Sequence, residues 1–168
     1  VLESGDRLLI LGRLDRIEEI AASPIISIEE DLPTISRLFS EEMGLAEFEI
    51  KSHSQFVGKS LAGINFRQNV GLNVLAIRHE DMVWRTHLQN IQLSADDRLL
   101  LQGPISQINA VKDQPGFRLL GIEEAHDYHL EDRLLFLRIP EGSALAGRSL
   151  KESRLGSAYD LSALSIER

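Results

Sequence analysis

Residues 54–79, SQFVGKSLAGINFRQNVGLNVLAIRH, and residues 143–168, SALAGRSLKESRLGSAYDLSALSIER, align without a gap at a separation of 89 positions. Ser54/Ser143, Gly58/Gly147, Ser60/Ser149, Leu61/Leu150, Leu72/Leu161, Leu75/Leu164 and Ile77/Ile166 are identical, and Lys59/Arg148 keeps its charge. A second match runs at a different offset: LESGDRLLILG (2–12) falls on LSADDRLLLQG (93–103), 91 positions later. A repeat defines the unit of structure. Here the unit is about 90 residues with its connector, longer than a solenoid repeat, so tandem small domains are expected. Working outward, the chain divides into 1–22, the C-terminal half of a copy; 23–45, a connector with a helix; 46–113, one complete copy; 114–129, a second connector; and 130–168, the N-terminal half of a copy. Because the chain opens and closes inside copies, we read it as a segment of a longer protein, and the parent could be membrane-embedded.

Local patterns supply the elements. RLLIL (7–11) is a short apolar strand ended by Gly12, and Leu14, Ile17 and Ile20 follow at helical spacing until Ser23-Pro24. PTISRLFSEEM (33–43) is expected as a helix, with Pro33 in its first turn and Gly44 as its C-terminal cap. AEFEIK (46–51) alternates, placing Phe48 and Ile50 inward. Gly58 begins a turn into a short helix, and LNVLAIRH (72–79) is apolar on both faces near its middle, as suits a central strand. MVWRTH (82–87) forms a hairpin with it across a tight turn. RLLLQ (98–102) is the next strand, Gly103-Pro104 opens a helix, and Gln114-Pro115-Gly116 breaks it. RLLFLRI (133–139) opens the last copy. The expected fold is α+β, built of β–α–β–β–β–α lobes. Each terminal half is too short to bury a core by itself. Residues 1–22 and 130–168 are therefore expected to combine into a second lobe, RLLIL sharing a sheet with LSALSI, within one chain or between two.

Composition narrows the function. The chain has 168 residues, 43% of them hydrophobic and 26% charged, with a net charge of −8. An acidic pI near 5.1 disfavours a nucleic-acid backbone binder. There is no cysteine, which removes disulfides and thiolate metal sites. No apolar run approaches the ~18 residues of a membrane span.

Chemistry-bearing motifs are few. Gly58-Lys59-Ser60 ends like a phosphate loop, but His53 stands where that loop needs glycine, so a strand-to-helix turn is the better reading. His126-Asp127-Tyr128-His129, with Glu123, Glu124 and Asp132 nearby, has donors for a divalent metal but lies in an acidic connector, and reads as a solvated linker. His53, His79 and His87 stand singly, and no Ser–His–Asp or Cys–His set can be drawn; no catalytic residue and no metal site is assigned. Trp84 alternates with Val83 and, with Leu75, is the candidate for an interface between copies. Arg78 ends the 72–79 strand; an arginine there can hold a phosphate by paired hydrogen bonds or simply pair with Glu80 or Asp81.

The order S-x-x-x-G-K-S-L, then G-L-N-V-L-A-I-R, then L-x-x-D-D-R-L-L-L-Q-G resembles the TrkA C-terminal domain, the C-terminal lobe of the regulator-of-K⁺-conductance (RCK) unit. The likeness covers the whole middle copy and recurs in the flanking halves. It implies a non-enzymatic, dimerising gating module at the cytoplasmic face of the cell membrane, coupled to a membrane-embedded transporter domain. Potassium or another cation is the expected cargo. Tandem copies also occur in loops of transporters resembling the divalent-anion:sodium symporters, and a ligand-free dimerisation module is a further alternative. No cofactor is implied; cyclic di-AMP, bound by some members at the dimer interface, is the candidate regulatory ligand, with Ile77 and Arg78 as its candidate contacts. No G-x-G-x-x-G follows a strand, so the dinucleotide site of the RCK N-terminal lobe is not expected.

Overall fold

In the computed structural model, residues 1–31, 33–121 and 128–168 are described. In chain order the elements are β1 (Arg7–Leu11), α1 (Leu14–Ala21), β2 (Ser27–Ile28), β3 (Met43–Ile50), α2 (Phe66–Val70), β4 (Asn73–His79) and β5 (Met82–Trp84). There follow β6 (Arg98–Pro104), α3 (Ile105–Lys112), β7 (Phe117–Gly121), β8 (Leu134–Arg138), α4 (Leu150–Ser153), α5 (Leu155–Tyr159) and β9 (Ser162–Glu167). They belong to two compact units: a middle lobe, Leu38–Tyr128, and a terminal lobe made of Val1–Arg37 and His129–Arg168.

The middle lobe is an antiparallel sheet in the order β5-β4-β6-β3-β7. Alternation along β3 sends Phe48 and Ile50 to one face, where they meet Ile77, Leu99 and Leu101 from neighbouring strands. Phe66 and Val70 of α2 and Ile108 and Val111 of α3 close over that face. The rings of Phe48 and Phe117 meet edge-on at 6.0 Å, and Phe56 lies 5.1 Å from Phe117. Such pairs add roughly 0.5–1.5 kcal/mol each beyond the area they bury. The opposite face carries Glu47, Glu49, Arg78, Arg98 and Leu100, the other half of the alternation.

The terminal lobe has the order β2-β8-β1-β9, with β1 paired to β8 on one side and β9 on the other. Its core joins Leu8 and Ile10 of β1, Ile17 and Ile20 of α1, Leu137 and Ile139, and Leu155 and Leu161. Its register reproduces that of the middle lobe at the two offsets of the sequence. Val74 pairs with Leu101 and Ala76 with Leu100, leaving Leu75 as a bulge; Ala163 pairs with Ile10 and Ser165 with Leu9, leaving Leu164. Phe48 opposes Leu99 as Leu137 opposes Leu8. Loop bonds correspond too: Gly58 N–H donates to Leu93 O at 2.7 Å, and Gly147 N–H to Leu2 O at 2.8 Å.

The α+β class and the β–α–β–β–β–α order of the middle lobe agree with expectation, and four local expectations do not. Residues 33–43 hold only a 3₁₀ turn, Ile35–Leu38, and β3 already begins at Met43. Ser40 reverses the chain: its N–H donates to Met43 O at 2.9 Å and its hydroxyl accepts from Met43 N at 3.0 Å. Gly44 is consequently not a helix cap but a strand residue opposite Gly103. β4 is not the central strand; β6 is, because β4 has only the three-residue β5 beyond it. The connector after Gly116 contains an edge strand, β7, whose exposed Arg118, Leu119 and Leu120 gave no alternating signal.

Candidate functional site

The second face of the middle sheet brings together residues that lie far apart in sequence. Arg78 of β4 stands opposite Arg98 of β6, which stands opposite Glu49 of β3, which stands opposite Arg118 of β7. Glu49 and Arg118 form an ion pair at 2.7 Å. In the next row Glu47, only 5% exposed, accepts a hydrogen bond from the Tyr128 hydroxyl at 2.7 Å and lies 3.9 Å from Arg98. The guanidinium of Arg78 sits 4.8 Å from the centre of the Tyr128 ring, a cation–π distance. Its Nε is buried without a hydrogen-bond partner. Arg85 donates to the Tyr128 carbonyl, holding that residue in place. Burial, followed by the bond to Glu47, pushes the Tyr128 phenol well above its usual 10.0, so it stays a donor.

Two arginines directly opposite each other on a sheet repel. In the terminal lobe Arg7, equivalent to Arg98, faces Arg138, equivalent to Glu49, and Glu29 bridges these two arginines at 2.7 Å and 2.6 Å. Glu167, at the position equivalent to Arg78, pairs with Arg7 at 2.9 Å, and Arg7 covers the Phe136 ring at 4.1 Å. Among the described residues of the middle lobe no carboxylate bridges Arg78 and Arg98, although Arg98 faces Glu49 and lies 3.9 Å from Glu47; the position equivalent to Glu29 is Leu120, on β7 beside β3.

The residues singled out from sequence are placed as follows. Ile77 is wholly buried in the helix-facing core, so its side chain has no surface for a ligand, whereas the neighbouring Arg78 is half-buried on the charged face. Leu75 has no exposed surface, and its side chain is closed to a contact with another copy. Trp84 packs partly on its own core and stacks on His79 at 6.2 Å. Gly58-Lys59-Ser60 is a turn: the amides of Gly58 and Lys59 already donate to Leu93 O and Phe56 O and cannot cradle a phosphate. Glu123, Glu124, His126 and Asp127 lie outside the described residues; among those described, no cluster of three or more His, Asp or Glu is arranged to hold a metal. Glu47 and Tyr128 were missed. Glu47 reads as the solvent half of an alternating strand and Tyr128 as connector, and only the tertiary pairing shows that each buries the other's polar atom.

The family model of the TrkA-C domain matches residues 45–116, spanning β3 through α3. This segment is a TrkA-C domain. An uncharacterized transporter of Synechocystis sp. is 34% identical over 111 residues, 62% of this chain. The match spans 18% of that relative's length. Among solved structures, the RCK C domain of the potassium transport protein KtrA, in complex with cyclic di-AMP, is 24% identical over 43% of this chain and 82% of its own, with a TM-score of 0.37. The RCK_C dimer of Streptococcus agalactiae BusR, also with cyclic di-AMP, is 20% identical over 42% of this chain and 88% of its own, with a TM-score of 0.39. TrkA-C domains are regulatory modules, and no helix among the described residues is long and apolar enough to cross a membrane.

Proposed function

We propose that the TrkA-C lobe is a ligand-sensing module of a membrane ion transporter, and that it takes a phosphate-bearing ligand across Arg78 and Arg98. The observation that carries this reading is the unbridged arginine pair. In the terminal lobe the positions equivalent to Arg78 and Arg98 hold Glu167 and Arg7, which pair at 2.9 Å, whereas in the middle lobe two arginines face each other with no carboxylate among the described residues bridging them, Glu47 approaching only Arg98 at 3.9 Å. The aromatic face of Tyr128 beside Arg78 adds a stacking surface, and cyclic di-AMP combines the two chemistries, phosphate and base. A potassium or other cation transporter is the natural setting for such a lobe, and a relative of the divalent-anion:sodium symporters the alternative. Pairing with a second copy belongs to the same reading, with Met82, 57% exposed at the hairpin tip beside Trp84, as apolar contact surface. Ligand binding would bias the attached membrane domain by favouring one arrangement of paired lobes over another.

Isothermal calorimetry with cyclic di-AMP tests the site. Binding at one ligand per middle lobe is expected, weakened by about 1–3 kcal/mol in Arg78→Ala and in Arg98→Ala. No binding by the wild-type chain, with dimerisation intact by light scattering, would favour the ligand-free dimerisation module. Binding unchanged in both variants would remove the arginine pair from the site.

A further inference from the structure

The equivalence of the two lobes isolates one contact whose chemistry differs. In the middle lobe His79, the last residue of β4, has its Nδ1 2.5 Å from an oxygen of Asp97. Asp97 is 1% exposed and its other oxygen accepts the Ser94 N–H at 2.7 Å. In the terminal lobe the equivalents are Arg168 and Asp6. Asp6, 2% exposed, accepts the Glu3 N–H at 2.8 Å and pairs with Arg168 at 3.2 Å. Backbone bonds around the two carboxylates match as well: Ile50 N–H donates to Asp97 O at 2.8 Å, and Ile139 N–H to Asp6 O at 2.9 Å. The same buried aspartate is thus closed by a cation in both lobes. One cation is a guanidinium, which stays charged throughout the physiological range, and the other is an imidazole, which does not.

We infer that the His79–Asp97 contact is a proton-dependent fastener of the β4–β5 hairpin, and that the terminal lobe carries a version that does not respond to pH. The contact joins the end of the strand bearing Arg78 to the turn entering β6, and Trp84 stacks on the same imidazole from β5. Charged groups around it come from each neighbouring element: Glu80 and Asp81 in the hairpin turn, Asp96 and Asp97 before β6, and the cross-strand pair Arg78 and Arg98. The bond to Asp97 and the attraction of its charge, with a smaller contribution from Glu80, raise the imidazole above its ordinary 6.5 against the effect of burial. The raised group contributes its full stabilisation below about pH 6.5 and loses it as pH rises through the folded value. A neutral imidazole can still donate from Nδ1, so the fastener loosens without opening entirely.

Two measurements on the full chain test this. NMR titration of the imidazole should give His79 a value above 6.5, returning towards 6.5 in Asp97→Asn. Hydrogen exchange of the hairpin amides, corrected for intrinsic rates, should then show protection falling from pH 5.5 to pH 8.5 in the wild type. The expected factor is tenfold for each pH unit by which the measured His79 value exceeds about 6.5. His79→Arg, which installs the terminal lobe's solution, should hold protection constant. A wild-type His79 titrating at or below 6.5, or equal loss of protection in wild type and His79→Arg, would overturn the inference; both readings stand even if Asp97→Asn fails to fold.

Discussion

Gly103→Ala tests whether the close approach at the β6–α3 corner is a requirement of the fold. A methyl group at Gly103 would sit 2.5 Å from Leu72 Cδ2, with the backbone atoms Gly71 O and Leu72 Cα at 3.4 and 3.5 Å. Leu72 is 1% exposed and belongs to the core, so it cannot swing into solvent. The same geometry recurs in the terminal lobe, where a methyl on Gly12 would collide with Leu161 Cδ2. Two effects compete. Replacing glycine by alanine within a strand ordinarily gains roughly 0.5–1 kcal/mol, because the unfolded chain has less freedom to lose. Forcing a methyl into a filled core costs about 1–3 kcal/mol. The overpacking term wins, and a net loss of about 1–2 kcal/mol is expected, lowering the melting temperature of a domain of this size by roughly 4–16 °C. Trp84 is the only tryptophan and packs on the middle lobe's core, so its fluorescence follows this lobe during urea or thermal unfolding. Leu72→Ala alone should cost roughly 2–5 kcal/mol. In that background the space conflict disappears, and adding Gly103→Ala should be neutral or slightly stabilising. An equal cost of Gly103→Ala in both backgrounds, or a stabilised single variant, would refute the argument.

Two further predictions concern the charged faces. Tyr128→Phe should destabilise the middle lobe by about 1–3 kcal/mol, because the buried Glu47 keeps only the 3.9 Å approach of Arg98; a loss too small to resolve in urea titrations followed by Trp84 would mean that water replaces the phenol. In the terminal lobe, burial pushes the Glu29 carboxyl up, but bonds from Arg7 and Arg138 outweigh it and hold the group below its ordinary 4.5. Its contribution is therefore present above about pH 4.5 and lost as pH falls through the lower folded value. Glu29→Gln should flatten that part of the acid unfolding profile, and an unchanged profile would contradict the network.

Much of the framework was written in local pattern. The two offsets identify the unit, the alternation around Phe48 and the apolar runs identify strands, and Gly58 marks a turn whose backbone, at φ +80°, suits glycine. These features report interactions within a few residues or one periodic face, and so they are legible before folding. Where such cues were weak the reading failed. The 33–43 segment has a helical stripe, yet Met43 and Gly44 gain more from the ladder with Pro104 and Gly103 than a short isolated helix would provide. The exposed edge strand β7 has no apolar alternation to betray it.

What the sequence by itself determined is the duplicated α+β unit, its strands and turns, and the family to which residues 45–116 belong. Only the tertiary structure decided the fate of the polar residues. Whether Glu47 is solvated or buried depends on Tyr128, 81 positions away, and whether Arg7 is a surface charge or the centre of a network depends on Glu29 and on Glu167, 160 positions away. A charged side chain tolerates burial only when a partner satisfies it, and which partner arrives is set by strand pairing across the whole chain rather than by the residues beside it. For that reason the surroundings of the two arginine pairs, Arg7 and Arg138 bridged by Glu29 in one lobe and Arg78 and Arg98 without a bridging carboxylate among the described residues in the other, emerge only in the folded sheets.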